Sequence, residues 1–228
     1  MNRRNLLKTL TLGTAGITAF FMGGQRMQAE EKTISNAIKI PKYPNEHFYK
    51  NGKWDQEISK EAYRELFRYH HYAIGEAVLA SPDFWMLEFG QNDFSNVGMG
   101  GIFFINDKEH GYFGHDIYLL PGQMIAQHYH IAAEDKAAKH ETWHVRNGNV
   151  WTVALGGDKS KLPFELPKSQ EKYTTCFKAK ALKVGDIDYL HALEEPHFMI
   201  AGPNGAIVTE YASFHANSGL RFSNPTVK

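Results

Sequence analysis

From residue 100 onward this 228-residue chain alternates short β-rich runs with turn chemistry, and that pattern constrains the fold more than any other feature. The punctuation is Asn106-Asp107, Pro121-Gly122, Asn147-Gly148, Gly156-Gly157-Asp158, Gly185-Asp186 and Pro203-Asn204-Gly205. Between these signals lie short β-rich runs at 100–105, 116–120, 124–130, 143–146, 150–155, 174–182, 197–201 and 206–213. Strands of that length and spacing close into an all-β sandwich or barrel. Asn147-Gly148, flanked by two such runs, predicts a two-residue hairpin.

Upstream the period changes. Ile58, Ala62, Tyr63, Leu66, Phe67, His70, Ile74, Ala77 and Val78 recur at three- and four-residue steps, the apolar stripe of a helix over 55–80. Ser81-Pro82-Asp83 stops it. With no repeat or linker in view, residues 30–228 read as one domain, a β-barrel with a helix packed on its outside.

The first 29 residues read as an address. Arg3-Arg4 and Lys8 precede a short apolar run to about Met22, and Ala29 could precede a cleavage site. The paired arginines resemble a twin-arginine signal, read by a machinery that exports folded proteins, and imply a periplasmic destination. The alternative is an uncleaved membrane anchor, for which the apolar run is short.

Twenty-five basic and 25 acidic side chains balance, which leaves no electrostatic footprint for nucleic acid. A lone cysteine, Cys176, excludes an intrachain disulfide and a thiolate cluster. The twelve histidines are the compositional anomaly. Two of them stand in Gly122-x5-His128-x-His130, where strand alternation sends both imidazoles to one side, a workable pair of metal ligands. A carboxylate could come from Glu134 or from Glu141. Glu141 shares a strand pattern with Lys139 and Trp143, whereas Glu134 falls in the inserted stretch 132–138. Alternation puts His140 and His144 outside. His70 and His71 go with the helix, His47 with the irregular lead-in and His215 with the C-terminal tail. His110, His115 and His191 fall near loops, their roles open.

A glycine, His-x-His, a glutamate and the closing Gly148 resemble the first cupin motif. Gly185-Asp186 through Pro196-His197 is similar to the second, which supplies His197 as the last ligand. The resemblance implies a cupin jelly-roll barrel holding one divalent ion through His128, His130, Glu141 and His197. Manganese comes first, with iron, zinc or cobalt as alternatives.

Phe89-Gly90-Gln91-Asn92-Asp93-Phe94, Lys139-x-Glu141, Glu210-Tyr211-Ala212-Ser213 and Arg221-Phe222-Ser223-Asn224-Pro225 resemble the D-lyxose ketol-isomerase family of cupins. That resemblance implies a metal-dependent aldose–ketose isomerase acting on a small sugar of the D-lyxose or D-mannose type. Glu210 would be the base, and Lys139 a buried acid whose pKa the ion depresses. An iron-dependent dioxygenase and a non-catalytic carbohydrate-binding cupin remain the alternatives, and a homodimer is left open. The insertion after His130 and the Arg146-Asn147-Gly148-Asn149 turn depart from the family pattern and leave the sugar undecided.

Overall fold

The computed structural model describes residues 40–228, so the expected export segment at 1–29 lies outside the described residues. A small hairpin, β1 (Tyr49–Lys50) and β2 (Lys53–Trp54), leads into helix α1 (Gln56–Tyr69) and the single turn α2 (Glu76–Leu79). Then follow β3 (Phe84–Leu87), β4 (Met99–Asp107), β5 (Tyr112–Leu119), β6 (His128–His130) and β7 (Glu141–Gly157). The chain closes with β8 (Cys176–Lys183), β9 (Ile187–Tyr189), β10 (His197–Ser213) and β11 (Leu220–Phe222). Among the described residues no helix is long and apolar enough to cross a membrane.

The single helix expected over 55–80 is in fact two. Asp55 caps α1 by accepting from the Glu57 and Ile58 amides, and the chain leaves the helix where His71 takes φ +50°. A left-handed residue cannot continue a right-handed helix. Ala62, Tyr63, Leu66 and Phe67 are buried against Phe84, Tyr118 and Ile207 on the outer face of the sheet. Val78, at the end of the expected stripe, is 36% exposed.

One nine-stranded antiparallel sheet, curled on itself, makes the cupin barrel. Its order is β11-β6-β10-β5-β4-β3, with β7 joining β10 to β8 and β9. The interior packs Met99, Ile117, Leu119, Val145, Met199 and Val208 into a second core. Alternation explains the division: along β5, Ile117 and Leu119 face the interior core while Tyr118 packs under the helix.

Two expected breaks turn out to be bends. Asn147-Gly148 makes no hairpin, because β7 runs unbroken through it for 17 residues. A type I′ turn needs positive φ at both central residues, and here only Gly148, at φ +71°, has it. Likewise β10 continues through Pro203-Asn204-Gly205: its pairing to β7 jumps from Ala201↔Val150 to Ala206↔Gly148, so 202–205 bulge opposite Asn149. The two bends abut so closely that a Cβ on Gly148 would stand 2.1 Å from the Gly205 carbonyl oxygen. The run expected at 124–130 is regular strand only over β6, with Met124 in isolated bridges to Val97 and Ile200. β5 begins at Tyr112, four residues earlier than expected, which takes His115 off a loop and into a strand.

Candidate metal centre

β6 presents His128 and His130, and His197 at the start of β10 is the cross-strand partner of His128. The three rings share a face, with the centroids of His128 and His197 4.4 Å apart. Glu141 opens β7 and extends its carboxylate among them. One ligand atom from each of His128, His130, Glu141 and His197 lies within 4.8 Å of all the others.

The tautomers are set from behind. His128 Nδ1 donates to the Ala126 carbonyl at 2.9 Å and His197 Nδ1 to the Glu195 carbonyl at 2.8 Å. Each bond leaves an Nε2 lone pair aimed into the cluster, the arrangement metal-binding imidazoles require. His130 Nε2 stands 3.0 Å from Glu141 Oε1 and His197 Nε2 stands 2.8 Å from Glu141 Oε2. Yet His130 Nε2, His197 Nε2 and Glu141 Oε2 are buried without a hydrogen-bond partner. Lone pairs and carboxylate oxygens converging on one point fit a shared cation, and three imidazoles with one carboxylate suit a borderline divalent ion.

Electrostatics sharpen the picture. Burial, then the neighbouring His197 and His130, holds the His128 pKa well below the usual imidazole range. Burial works against the charged form of Glu141 too, but Lys139 and His197 outweigh it and keep the carboxyl well below its usual range.

Lys139, two residues ahead of Glu141, is buried and places Nζ 2.8 Å from Glu141 Oε1. The same ammonium donates to Glu210 on β10 and lies over the Phe113 ring, 4.3 Å from its centroid. Among the protein's own side chains the balance on Lys139 runs opposite to the depression expected of a bound ion. Burial lowers the pKa, but Glu141 and Glu210 together raise it above the ordinary value. Glu210 sits between cross-strand neighbours His115 and Trp143, and its Oε2 meets His115 Nε2 at 3.2 Å. Burial and Glu141 push its pKa up, while Lys139 and His115 push it down and prevail, to about 2.

These groups line a cavity of about 250 Å³. Lys139, Glu210 and the four-residue cluster form its polar side, and Trp85, Phe103, Phe113 and Phe222 an aromatic one.

The structure brings His128, His130, Lys139, Glu141, His197 and Glu210 to this one cavity. Glu134 is elsewhere, on the surface, where it takes φ +52° and pairs with Lys108 at 3.1 Å and Ser218 at 2.9 Å. His140 stands outside, against the Leu190 carbonyl, and His70 ends α1 against the Asn204 carbonyl. Two cavity residues escaped the sequence reading. His115 falls near a loop signal in the sequence, although alternation back from Ile117 through His115 to Phe113 extends its strand. His215 reads as tail in the sequence, and no local pattern foretells that the segment after β10 returns across the cavity.

No family model matches the chain. The D-lyxose/D-mannose isomerase of Thermosediminibacter oceani is 30% identical over 142 residues, 62% of this chain and 76% of the relative. The D-lyxose ketol-isomerase of Cohnella laeviribosi is 25% identical over 170 residues, 75% of this chain and 91% of the relative. Among solved structures, L-ribose isomerase from Cellulomonas parahominis with L-ribose superposes with TM-score 0.55 at 16% identity, covering 74% of this chain and 90% of that one. L-ribose isomerase of Acinetobacter sp. DL28 in complex with L-ribose gives TM-score 0.56 at 16% identity, covering 74% and 91%. At that identity the structural likeness shows a common fold.

Proposed function

The chain belongs to the D-lyxose/D-mannose isomerase family, and on that premise we propose that it interconverts a small aldose and its 2-ketose, D-lyxose and D-mannose being the first candidates. The observation that carries this reading is the Lys139–Glu210 pair, buried beside the His/His/Glu/His cluster in one sugar-sized cavity.

His128, His130, Glu141 and His197 hold the divalent ion, manganese before iron, zinc or cobalt. When bound, the ion supplies Lewis acidity toward the sugar's carbonyl and neighbouring hydroxyl. Glu210, ionised and within reach of the cavity, removes the proton from C2 of the open-chain aldose. The C2–H electrons become the C1–C2 double bond as the carbonyl π electrons move to O1. Lys139 delivers a proton to O1 and recovers one from O2, and Glu210 returns its proton to C1. Atoms and electrons balance with no outside reagent. A substrate oxygen that takes over one of Lys139's hydrogen bonds loosens its hold on Glu210 and makes that carboxylate more basic. The aromatic wall excludes water and packs the carbon skeleton.

The test is incubation of the metal-loaded protein with D-lyxose, D-mannose and related aldoses in heavy water. The expected result is the 2-ketose, with deuterium at C1 wherever the proton on Glu210 exchanges before return. Full metal loading with neither ketose nor exchange across the panel would overturn the reading.

Residues 1–29 fit the same account as a twin-arginine export signal, on the strength of Arg3-Arg4 before a short apolar run. A folded, metal-loaded domain would then cross the inner membrane to the periplasm.

A further inference from the structure

We propose that His215 presents its Nδ1 as a fixed acceptor for one hydroxyl of the bound sugar, and so sets which hydroxylated substrates the cavity retains. The proposal rests on the isomerase reading of the site and adds a specificity-determining residue to it.

His215 lies after β10, on the segment that returns across the cavity, and its ring is part of the lining. Three separate restraints hold it. The Asn106 side chain clamps its backbone: Nδ2 donates to the His215 carbonyl at 3.0 Å, and Oδ1 accepts from the His215 amide at 3.0 Å. The ring stacks on Phe113, with centroids 5.4 Å apart and planes inclined by 29°. Its Nε2 stands 2.8 Å from Asn217 Oδ1. A side-chain carbonyl oxygen can only accept, so Nε2 carries the hydrogen and Nδ1 is left with a bare lone pair.

That Nδ1 is buried and has no hydrogen-bond partner among the described residues. A buried acceptor left unpaired is costly, and few native side chains leave one so without a role for it. The atom is also outside the four-ligand cluster, although the His215 ring lies edge-on to His130 at 5.7 Å. The partner such an acceptor takes is a donor entering the cavity, and the donor that a sugar brings is a hydroxyl. The fixed backbone, ring plane and tautomer mean that the acceptor is already oriented when substrate arrives.

The experiment uses the full chain loaded with manganese. Calorimetry measures binding of the alditol corresponding to the aldose that is turned over. Kinetics measure kcat and KM for that aldose and for its monodeoxy analogues. His215→Phe fills the ring's space without an acceptor. It should retain metal, weaken alditol binding by about tenfold, raise KM more than it lowers kcat, and erase the preference over one monodeoxy analogue. His215→Asn places an amide oxygen near the position of Nδ1 and should restore most of the preference. Wild-type alditol affinity and undiminished discrimination in His215→Phe, in a protein whose parent turns over the aldose, would overturn the proposal and leave the isomerase reading standing. A parent protein that neither binds an alditol nor turns over any aldose would overturn both.

Discussion

His115 and Glu210 are cross-strand partners on β5 and β10, and the imidazole Nε2 stands 3.2 Å from the carboxylate Oε2. With Lys139 on Oε1, both oxygens of Glu210 are held from the side, so the carboxylate cannot rotate freely. Glu210→Gln should therefore keep the metal and lose about 10²–10⁴-fold in kcat, the usual contribution of a general acid–base group. His115→Phe keeps the aromatic packing but releases Oε2, and should lose less than Glu210→Gln does. Steady-state kinetics with elemental analysis of both variants decides this. Wild-type kcat in Glu210→Gln would remove Glu210 from the chemistry.

Lys139 neutralises two buried carboxylates at once. Lys139→Ala leaves Glu141 and Glu210 facing each other uncompensated, and should cost about 3–5 kcal/mol, the range for breaking a buried ion pair. Urea unfolding measures it. Added divalent ion should recover part of the loss, because it restores positive charge beside Glu141.

Acid should destabilise the protein through Glu210 in a definite window. Its folded pKa is depressed to about 2 from an ordinary 4.5, so the folded state binds fewer protons than the unfolded one. The stabilisation is therefore complete above about pH 4.5 and is lost as pH falls toward 2. Urea midpoints across that interval should fall more steeply in the wild type than in Glu210→Gln.

The two candidate carboxylates separate cleanly. Glu141→Gln should lose most of the bound ion, since its oxygens lie 3.0 and 2.8 Å from His130 and His197. Glu134→Gln should bind as the wild type does, because that side chain serves Lys108 and Ser218 on the surface. The reverse order of metal contents would move the site to the insertion after β6.

For export, residues 1–35 fused to a reporter should carry it to the periplasm. Replacing Arg3 and Arg4 together by lysine should keep the reporter in the cytoplasm. Unchanged export would mean a general secretory signal.

Which residues could be read in advance follows from how far apart their determinants lie. His128 and His130 are two residues apart on β6, and strand alternation alone puts them on one side; Lys139 and Glu141 have the same spacing, although Lys139 lies just ahead of β7. Their meeting with His197 and Glu210 was anticipated only through likeness to a family, because cross-strand register is not written locally. His115 and His215 show the limit. The first enters the cavity because β5 pairs with β10 from Tyr112 onward, the second because an asparagine on β4 clamps a distant segment. Asn147-Gly148 misled for the same reason: its dipeptide favours a hairpin, but the 17-residue pairing of β7 with its neighbours overrides that preference.

The abutting bends at Gly148 and Gly202–Gly205 have a consequence for how this protein can change. His197 and Glu210 stand thirteen positions apart on β10, and a straight strand would carry them about 40 Å from each other. They share a cavity because the strand is folded over at its middle, and it can fold there only while nothing larger than hydrogen occupies Gly148 or Gly205, both at positive φ and both against backbone. Catalytic geometry here is a matter of curvature. A random hunt for inactive descendants should strike these glycines as readily as the ligands, and a lineage abandoning the sugar could do so by straightening one strand while every chemical group stayed in place.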